Sequence, residues 1–178
     1  MNGFERSNPL FSMCGLNCGL CPMKLGGHCP GCGQGNRPCR IARCGMEHHV
    51  EYCFQCSEYP CGHYERAGEY DSFITYLHRE QDMRKAKSMG IEAYCAEQAE
   101  KEKLLDALLT QFDSGREKTL FCLAVNLLDV GDVQTVLEEG RRLAPELAAK
   151  EKARYVSSRL REIASQRGIV LKLRKKAT

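Results

Sequence analysis

Ten cysteines crowd the stretch from Cys14 to Cys61, and no fold can be assigned to this chain without saying what holds them. They are Cys14, Cys18, Cys21, Cys29, Cys32, Cys39, Cys44, Cys53, Cys56 and Cys61. A cysteine-dense segment this short is held together by disulfides or by metal. Cys18/Cys21, Cys29/Cys32 and Cys53/Cys56 are spaced Cys-x-x-Cys. Two intervening residues let one tight turn present both sulfurs to a single ion, and a tetrahedral zinc shell closes on two such pairs or their equivalents. The first residues carry no apolar stretch with a small-residue cleavage site after it, so a secretory signal is not expected. The reading is a cytoplasmic protein whose thiols stay reduced, which favours metal over disulfides.

The rest of the segment agrees. Residues 1–65 hold few large aliphatic side chains (Leu10, Leu16, Leu20, Leu25, Ile41 and Val50) among many glycines. So small and loop-rich a segment needs staples beyond its apolar core, and metal–thiolate bonds add folding free energy directly. The expected cofactor is zinc, as two ions. One ion is assigned to Cys29, Cys32, Cys39 and Cys44. The other is assigned to Cys18, Cys21, Cys53 and Cys56, with Cys14 and Cys61 as replacements or as partners of a histidine in a third site. His28, His48, His49 and His63 are read as exposed polar residues rather than ligands. An iron–sulfur cluster is the alternative, because clusters also take four thiolates. Cys29-Pro-Gly-Cys32 is not read as a redox pair, since Gly31, Gly33 and Gly35 oppose the helix that lowers a redox thiol's pKa.

Four motifs then follow in order: Cys14-Gly-Leu-Asn-Cys18-Gly-Leu-Cys21-Pro22, Cys29-Pro-Gly-Cys32, Cys39-Arg-Ile-Ala-Arg-Cys44 and Tyr52-Cys53-Phe-Gln-Cys56-Ser-Glu-Tyr-Pro-Cys61. This series resembles the cysteine-rich prokaryotic family known as domain of unknown function 3795. The resemblance implies a metal-binding protein and supplies no reaction. The family's further cysteine, three positions before Cys39, is Asn36 here. Cys14, Cys18 and Cys21 also share the spacing of radical enzymes that use S-adenosylmethionine. Those enzymes need a barrel of parallel strands, and the sequence after Gly62 reads as helix.

The expected fold is mostly α: a loop-rich metal-binding cysteine module over residues 8–64, then a helical domain over 65–178 packed on it. Tyr70, Phe73, Ile74 and Leu77 recur at helical spacing. A helix broken at Gly90 spans 80–112, Asp113-Ser114-Gly115 turns the chain, and the apolar run 117–128 forms a buried helix. Asp132 is placed as the N-cap of the next helix, Pro145 in the first turn of the last, and Gly168 at its stop. Ile169, Leu171 and Leu173 alternate with Val170, Lys172 and Arg174, which predicts a short C-terminal strand. Cys95 and Cys122 lie among apolar helical residues and are read as core.

Charge is uneven. Residues 150–178 hold ten Lys or Arg against two Glu, while the whole chain is only +3. That basic end, and Arg174-Lys175-Lys176 in particular, raises a nucleic-acid-associated zinc module as a further alternative. No aromatic side chains interleave with these charges for base stacking, so a protein partner is expected rather than nucleic acid. Gly115-Arg116-Glu117-Lys118 is read as a solvated helix cap rather than an anion site. No catalytic triad order, phosphate loop or dinucleotide fingerprint is present, and no apolar stretch suits a membrane span. The function expected is therefore binding or adaptor-like, with a mainly structural metal, rather than catalysis.

Overall fold

The computed structural model describes residues 6–34, 39–65 and 68–176, so Gly35 and Asn36 lie outside it. Among the described residues there are seven α-helices: α1 (Pro22–Leu25), α2 (Arg40–Glu47), α3 (Arg79–Met89), α4 (Ile91–Phe112), α5 (Lys118–Leu127), α6 (Val130–Arg141) and α7 (Ala149–Gln166). Three 3₁₀ turns, Cys18–Leu20, Cys53–Gln55 and Gly62–Tyr64, complete the regular structure. None of the helices is long and apolar enough to cross a membrane. The chain divides into two compact units, Met1–Ala99 with Leu173–Thr178, and Glu100–Lys172. The sequence texture changes near residue 64, but the packing of the first unit runs on through α3 and the first turns of α4.

The first unit is built on two side-chain clusters. Phe11, Tyr52, Met83, Ala86, Tyr94 and Cys95 form one, with Phe11 stacked on Tyr52 at 5.8 Å and tilted against Tyr94 at 4.7 Å. Met13, Ile41, Ala42 and Tyr64 form the other, and Cys14, Cys32, Cys39, Cys53 and Cys61 pack against it. Asn17 ties the loop to the helices: its amide donates to Asp82 at 3.0 Å, and its carbonyl accepts from the Tyr94 hydroxyl at 2.9 Å.

The second unit is helical throughout its core. Every residue of α5 from Leu120 to Leu127 is buried, as an all-round apolar helix requires. Val133, Val136 and Leu137 of α6 meet Ala153, Val156 and Leu160 of α7 in the buried interior. A Cβ on Gly140 would lie 2.8 Å from Phe112 and from Val156, so glycine there permits the close approach. Cys122 is buried in this unit and Cys95 in the first, as expected. Gly90, at φ +89°, separates α3 from α4. Gly168, at φ +70°, ends α7 while the Ile169 amide donates back to Ala164 at 2.8 Å.

Four local expectations fail, each for an identifiable reason. The face Tyr70/Phe73/Ile74/Leu77 forms no helix; Ile74 is buried, but Phe73 is 61% exposed. Asp71 accepts the Tyr76 amide at 2.8 Å and Thr75 Oγ1 accepts the Leu77 amide at 3.1 Å, so short polar side chains take the donors a helix would use. The C-terminal strand is absent. Its alternation places Leu171 inside and leaves Val170 exposed, but no ladder forms; instead the tail is tethered at one point. Asp129, not Asp132, occupies the N-cap position of α6, and Asp132 in the first turn pairs with Arg167 at 2.6 Å. Pro145 precedes α7, which starts after Ala148, where Glu151 accepts the Ala148 amide at 3.1 Å.

The tether is a reciprocal pair. The Asp71 amide donates to Arg174 O at 2.9 Å, and the Arg174 amide donates to Asp71 Oδ2 at 2.8 Å. The Arg174 guanidinium adds a 2.7 Å bond to Asp71 Oδ1, and the Asp71 side chain is 1% exposed. Asp71→Ala is expected to cost about 1 kcal/mol, because the Tyr76 and Arg174 amides and the exposed Arg174 guanidinium lose their acceptor. Denaturant titration measures the loss, and amide exchange should show Arg174 released while α5–α7 stay protected. Burial alone would raise the Asp71 carboxyl, but the Arg174 guanidinium and the Arg174 and Tyr76 amides outweigh it and hold it below the usual carboxylate range. Its contribution is therefore complete above about pH 4 and is lost as pH falls below that value. Arg174 amide protection followed on acidification tests this sign.

Candidate metal centre

Two of the Cys-x-x-Cys pairs fold as the spacing predicts. In each, a single 3₁₀ turn returns the second cysteine's amide to the first cysteine's carbonyl: Cys21 to Cys18 at 3.1 Å, and Cys56 to Cys53 at 3.0 Å. Gln55 pins the second turn, its Oε1 accepting the Glu51 and Tyr52 amides at 3.0 Å each. Cys29 and Cys32 differ: Gly31 at φ +100° turns the chain between them and no helical turn forms. Cys39 caps α2, accepting the Arg43 amide at 2.9 Å, and Cys44 lies inside that helix.

The structure groups these cysteines differently from the spacing argument. Cys44, Cys53, Cys56 and Cys61 line one cavity of about 20 Å³. Cys44 is thus placed with the C-terminal cysteines and not with Cys29 and Cys32. Cys14, Cys18, Cys21, Cys32 and Cys39 form a second neighbourhood, felt through the electrostatics: Cys14 senses Cys32 and Cys39, and Cys18 senses Cys14, Cys32 and Cys21. Cys53 senses both groups, through Cys14 on one side and Cys61 and Cys44 on the other.

Two glycines make these approaches possible. A Cβ on Gly15 would lie 2.5 Å from Met83 Cγ and 3.0 Å from the Arg79 carbonyl, at a φ of +90°. Gly15 therefore lets the Cys14 loop lie directly on α3. A Cβ on Gly45 would lie 2.1 Å from Met13 Sδ, so α2 and with it Cys44 sit hard against the Met13 strand of loop. The Cys53 amide donates to Met13 O at 3.0 Å from the other direction. Met13, fully buried, is the hinge between Cys44 and Cys53.

All twelve cysteines are free thiols. Desolvation pushes the Cys53 and Cys18 thiols up to about 12, and charge on neighbouring sulfurs adds to it; for Cys53 the nearby Tyr64 hydroxyl acts in the opposite sense. Cys14 is raised for the same first reason, partly offset by its 3.2 Å hydrogen bond with Ser12 Oγ. Cys44 is raised by desolvation and then by Cys61 and Cys56. Among the leading causes that act on these four thiols the one cation is Arg79, which lowers Cys14.

Histidine is closer to the sulfurs than expected. His48 and His63 line the same cavity as the four cysteines. A carbonyl can only accept, so the 2.9 Å contact of His48 Nδ1 with Cys44 O makes Nδ1 the protonated nitrogen and leaves the Nε2 lone pair available. His28, His48 and His49 are exposed, as expected, and His63 is half-buried. The periodicity of α2 held the missing signal: His48 follows Cys44 by four residues and so shares its helix face.

Among the described residues, no three Cys, His, Asp or Glu side chains stand gathered in an arrangement that already holds a metal ion. The donor set nevertheless suits a thiophilic ion, with four sulfurs and two imidazoles around a cavity the size of one ion. On the other face, Cys14 and Cys39 border a cleft of about 860 Å³ with Arg40, Arg79, Lys175 and Lys176. The expected basic triplet is thereby divided: Arg174 is committed to Asp71, and only Lys175 and Lys176 reach this cleft.

Gly45→Ala tests the packing that positions Cys44. Alanine gains up to about 1 kcal/mol of helix propensity, but overpacking against Met13 costs about 1–3 kcal/mol, so a net loss is expected. Chemical denaturation of the metal-free chain reads it directly; an unchanged or higher stability would mean that Met13 has room to turn away. Comparison with known proteins adds nothing to this geometry: no protein-family model, no curated protein and no solved structure matches the chain.

Proposed function

We propose that the first unit is a zinc–thiolate module with a structural metal, and that the protein works by binding a partner rather than by catalysis. One ion is taken by Cys44, Cys53, Cys56 and Cys61. A second takes its ligands from Cys14, Cys18, Cys21, Cys32 and Cys39, while Cys29 stands beside that set. The observation that carries the reading is the cavity of about 20 Å³ lined by four cysteines on two elements. That volume is close to one water-sized sphere, which suits a single ion. The series of cysteine motifs that resembles domain of unknown function 3795 supports the same chemistry.

Zinc supplies a divalent charge and a preference for four tetrahedral sulfur ligands, with no redox change. The chain's own residues do the rest. A cysteine that holds the ion would do so as the thiolate and would give up its proton, so loading and folding of the loops would be coupled. The 3₁₀ turns hold the paired sulfurs in reach, Met13 and Gly45 fix the distance between Cys44 and Cys53, and Tyr64 shields the sulfurs from water.

Full-length protein purified without oxygen should be colourless, with about two zinc ions per chain by elemental analysis. Cys44→Ser and Cys53→Ser should each remove about one equivalent, as should Cys18→Ser, whereas Cys122→Ser should leave the content unchanged. Brown protein containing iron and inorganic sulfide would replace zinc by a cluster. Protein that folds with no stoichiometric metal would end both readings.

A further inference from the structure

The second unit holds a site that the metal reading does not touch. Its helix α7 has three faces with three fates. Ala153, Val156, Leu160 and Ala164 are buried. On a second face the cations are neutralised. Arg159 binds Glu139 at 2.8 Å and also pairs with Glu162, and Arg167 binds Asp132 at 2.6 Å and Asp129 at 3.5 Å. On the third, Lys150, Arg154, Ser157, Ser158 and Arg161 follow one another at i, i+4, i+7, i+8 and i+11, so they share one flank of the helix.

These residues line a cleft of about 650 Å³, closed on its other side by Arg116 from the turn between α4 and α5. Among the described residues, none of Arg116, Lys150, Arg154 and Arg161 makes an ion pair. One carboxylate lines the cleft, Glu117, and it is already engaged by the Ser114 amide and hydroxyl at 2.8 to 3.1 Å. Ser157 Oγ is buried and has no hydrogen-bond partner. Four convergent, unanswered cations beside an unsatisfied buried hydroxyl make an arrangement that its own fold leaves incomplete.

We propose that this cleft binds a compact anion carrying two or more linked phosphate groups, held by Arg116, Lys150, Arg154 and Arg161 with Ser157 as an added donor. The backbone amides at the start of α5 take no part. Asp113 Oδ1 already accepts the Gly115 and Glu117 amides at 2.8 and 3.1 Å. Recognition is by charge and side-chain donors, which favour phosphate oxygens. A compact ligand fits better than a nucleic-acid strand for two reasons. Beyond the cleft, Glu139, Glu162, Asp129 and Asp132 neutralise Arg159 and Arg167, and Lys152 is turned to the Pro145 carbonyl, which leaves no continuous track for a backbone to follow. No aromatic side chain lines the cleft to stack a base. The volume lies in the usual range for small-molecule pockets, about 300–1,000 Å³.

Calorimetric titration of the full-length protein with inorganic tripolyphosphate, at about 50 and about 200 mM salt, tests the site. One binding event that weakens with salt is expected. Arg154→Gln and Arg161→Gln should each lower affinity about tenfold. Ser157→Ala should lower it by about fivefold without lowering thermal stability, since that hydroxyl has no partner within the fold. Arg142→Gln, the same charge change at a residue paired with Glu138 outside the cleft, should leave affinity within about twofold. The proposal fails if tripolyphosphate does not bind, if orthophosphate binds as tightly, or if Arg142→Gln weakens binding as much as Arg154→Gln. It also fails if a single-stranded oligonucleotide displaces tripolyphosphate at equal charge. Binding that ignores both Arg154→Gln and Arg161→Gln would mark chelation at the cysteines and would likewise refute it.

Discussion

A sulfur can be part of a protein core only while it is neutral or while something answers its charge. The first unit depends on that condition. Cys14, Cys32, Cys39, Cys53 and Cys61 pack against Met13, Ile41, Ala42 and Tyr64, so the thiols are themselves the filling of the cluster. As neutral groups they behave as small hydrophobes. As thiolates they carry charge into a desolvated space beside other thiolates, which is unfavourable unless a cation enters with them. The raised pKa values of Cys14, Cys18, Cys44 and Cys53 express that conflict, and desolvation comes first among the causes in every case.

The surrounding structure keeps the sulfurs in this state by making the loops as rigid as helices. The 3₁₀ turns fix each Cys-x-x-Cys locally. Long-range bonds then fix the turns: Cys53 N–H to Met13 O, Asn17 to Asp82 and Tyr94, and Gln55 back to Glu51 and Tyr52. Stacking of Phe11, Tyr52 and Phe54 supplies apolar area that the few aliphatic residues cannot. Every one of these devices serves to position a cysteine or the residue next to one. That economy is what a structural metal site requires, since the ion bonds only to ligands that the chain has already brought near.

Much of this was legible in the sequence, and the boundary of legibility has a physical cause. Helical periodicity located α4 to α7, because the buried stripes of those helices depend on residues close in sequence. The spacing of Cys18/Cys21 and Cys53/Cys56 likewise gave their turns. It did not give the partnership of Cys44 with Cys53, Cys56 and Cys61. That pairing depends on the missing side chains of Gly15 and Gly45 and on what Met83 and Met13 do with the space, which no local pattern encodes. The stretch from Tyr70 to Leu77 misled for the opposite reason. Its apolar spacing was helical, but Asp71 and Thr75 captured the backbone donors. The period-two tail misled similarly, because the Asp71–Arg174 pair holds it where a strand would need a ladder.

The two units carry nearly equal net charge, so what bears on the metal is which cations stand near the sulfurs. Two buried guanidiniums act on sulfurs, Arg6 on Cys95 and Arg79 on Cys14. Arg79 lies 4.8 Å from the Tyr64 ring centre and 5.4 Å from that of Tyr76, and it lowers Cys14. One such cation can offset one thiolate, and a guanidinium already stacked on two aromatic rings cannot follow a second. Arg40, Lys175 and Lys176 also border the cleft that Cys14 and Cys39 line. Ionising all ten clustered cysteines would outrun these few cations. Either the cysteines remain protonated and inert, or the countercharge arrives from outside as a divalent ion. The ordered turns and close glycine contacts serve the packing in either case, and the small cavity lined by four cysteines is what motivates the second.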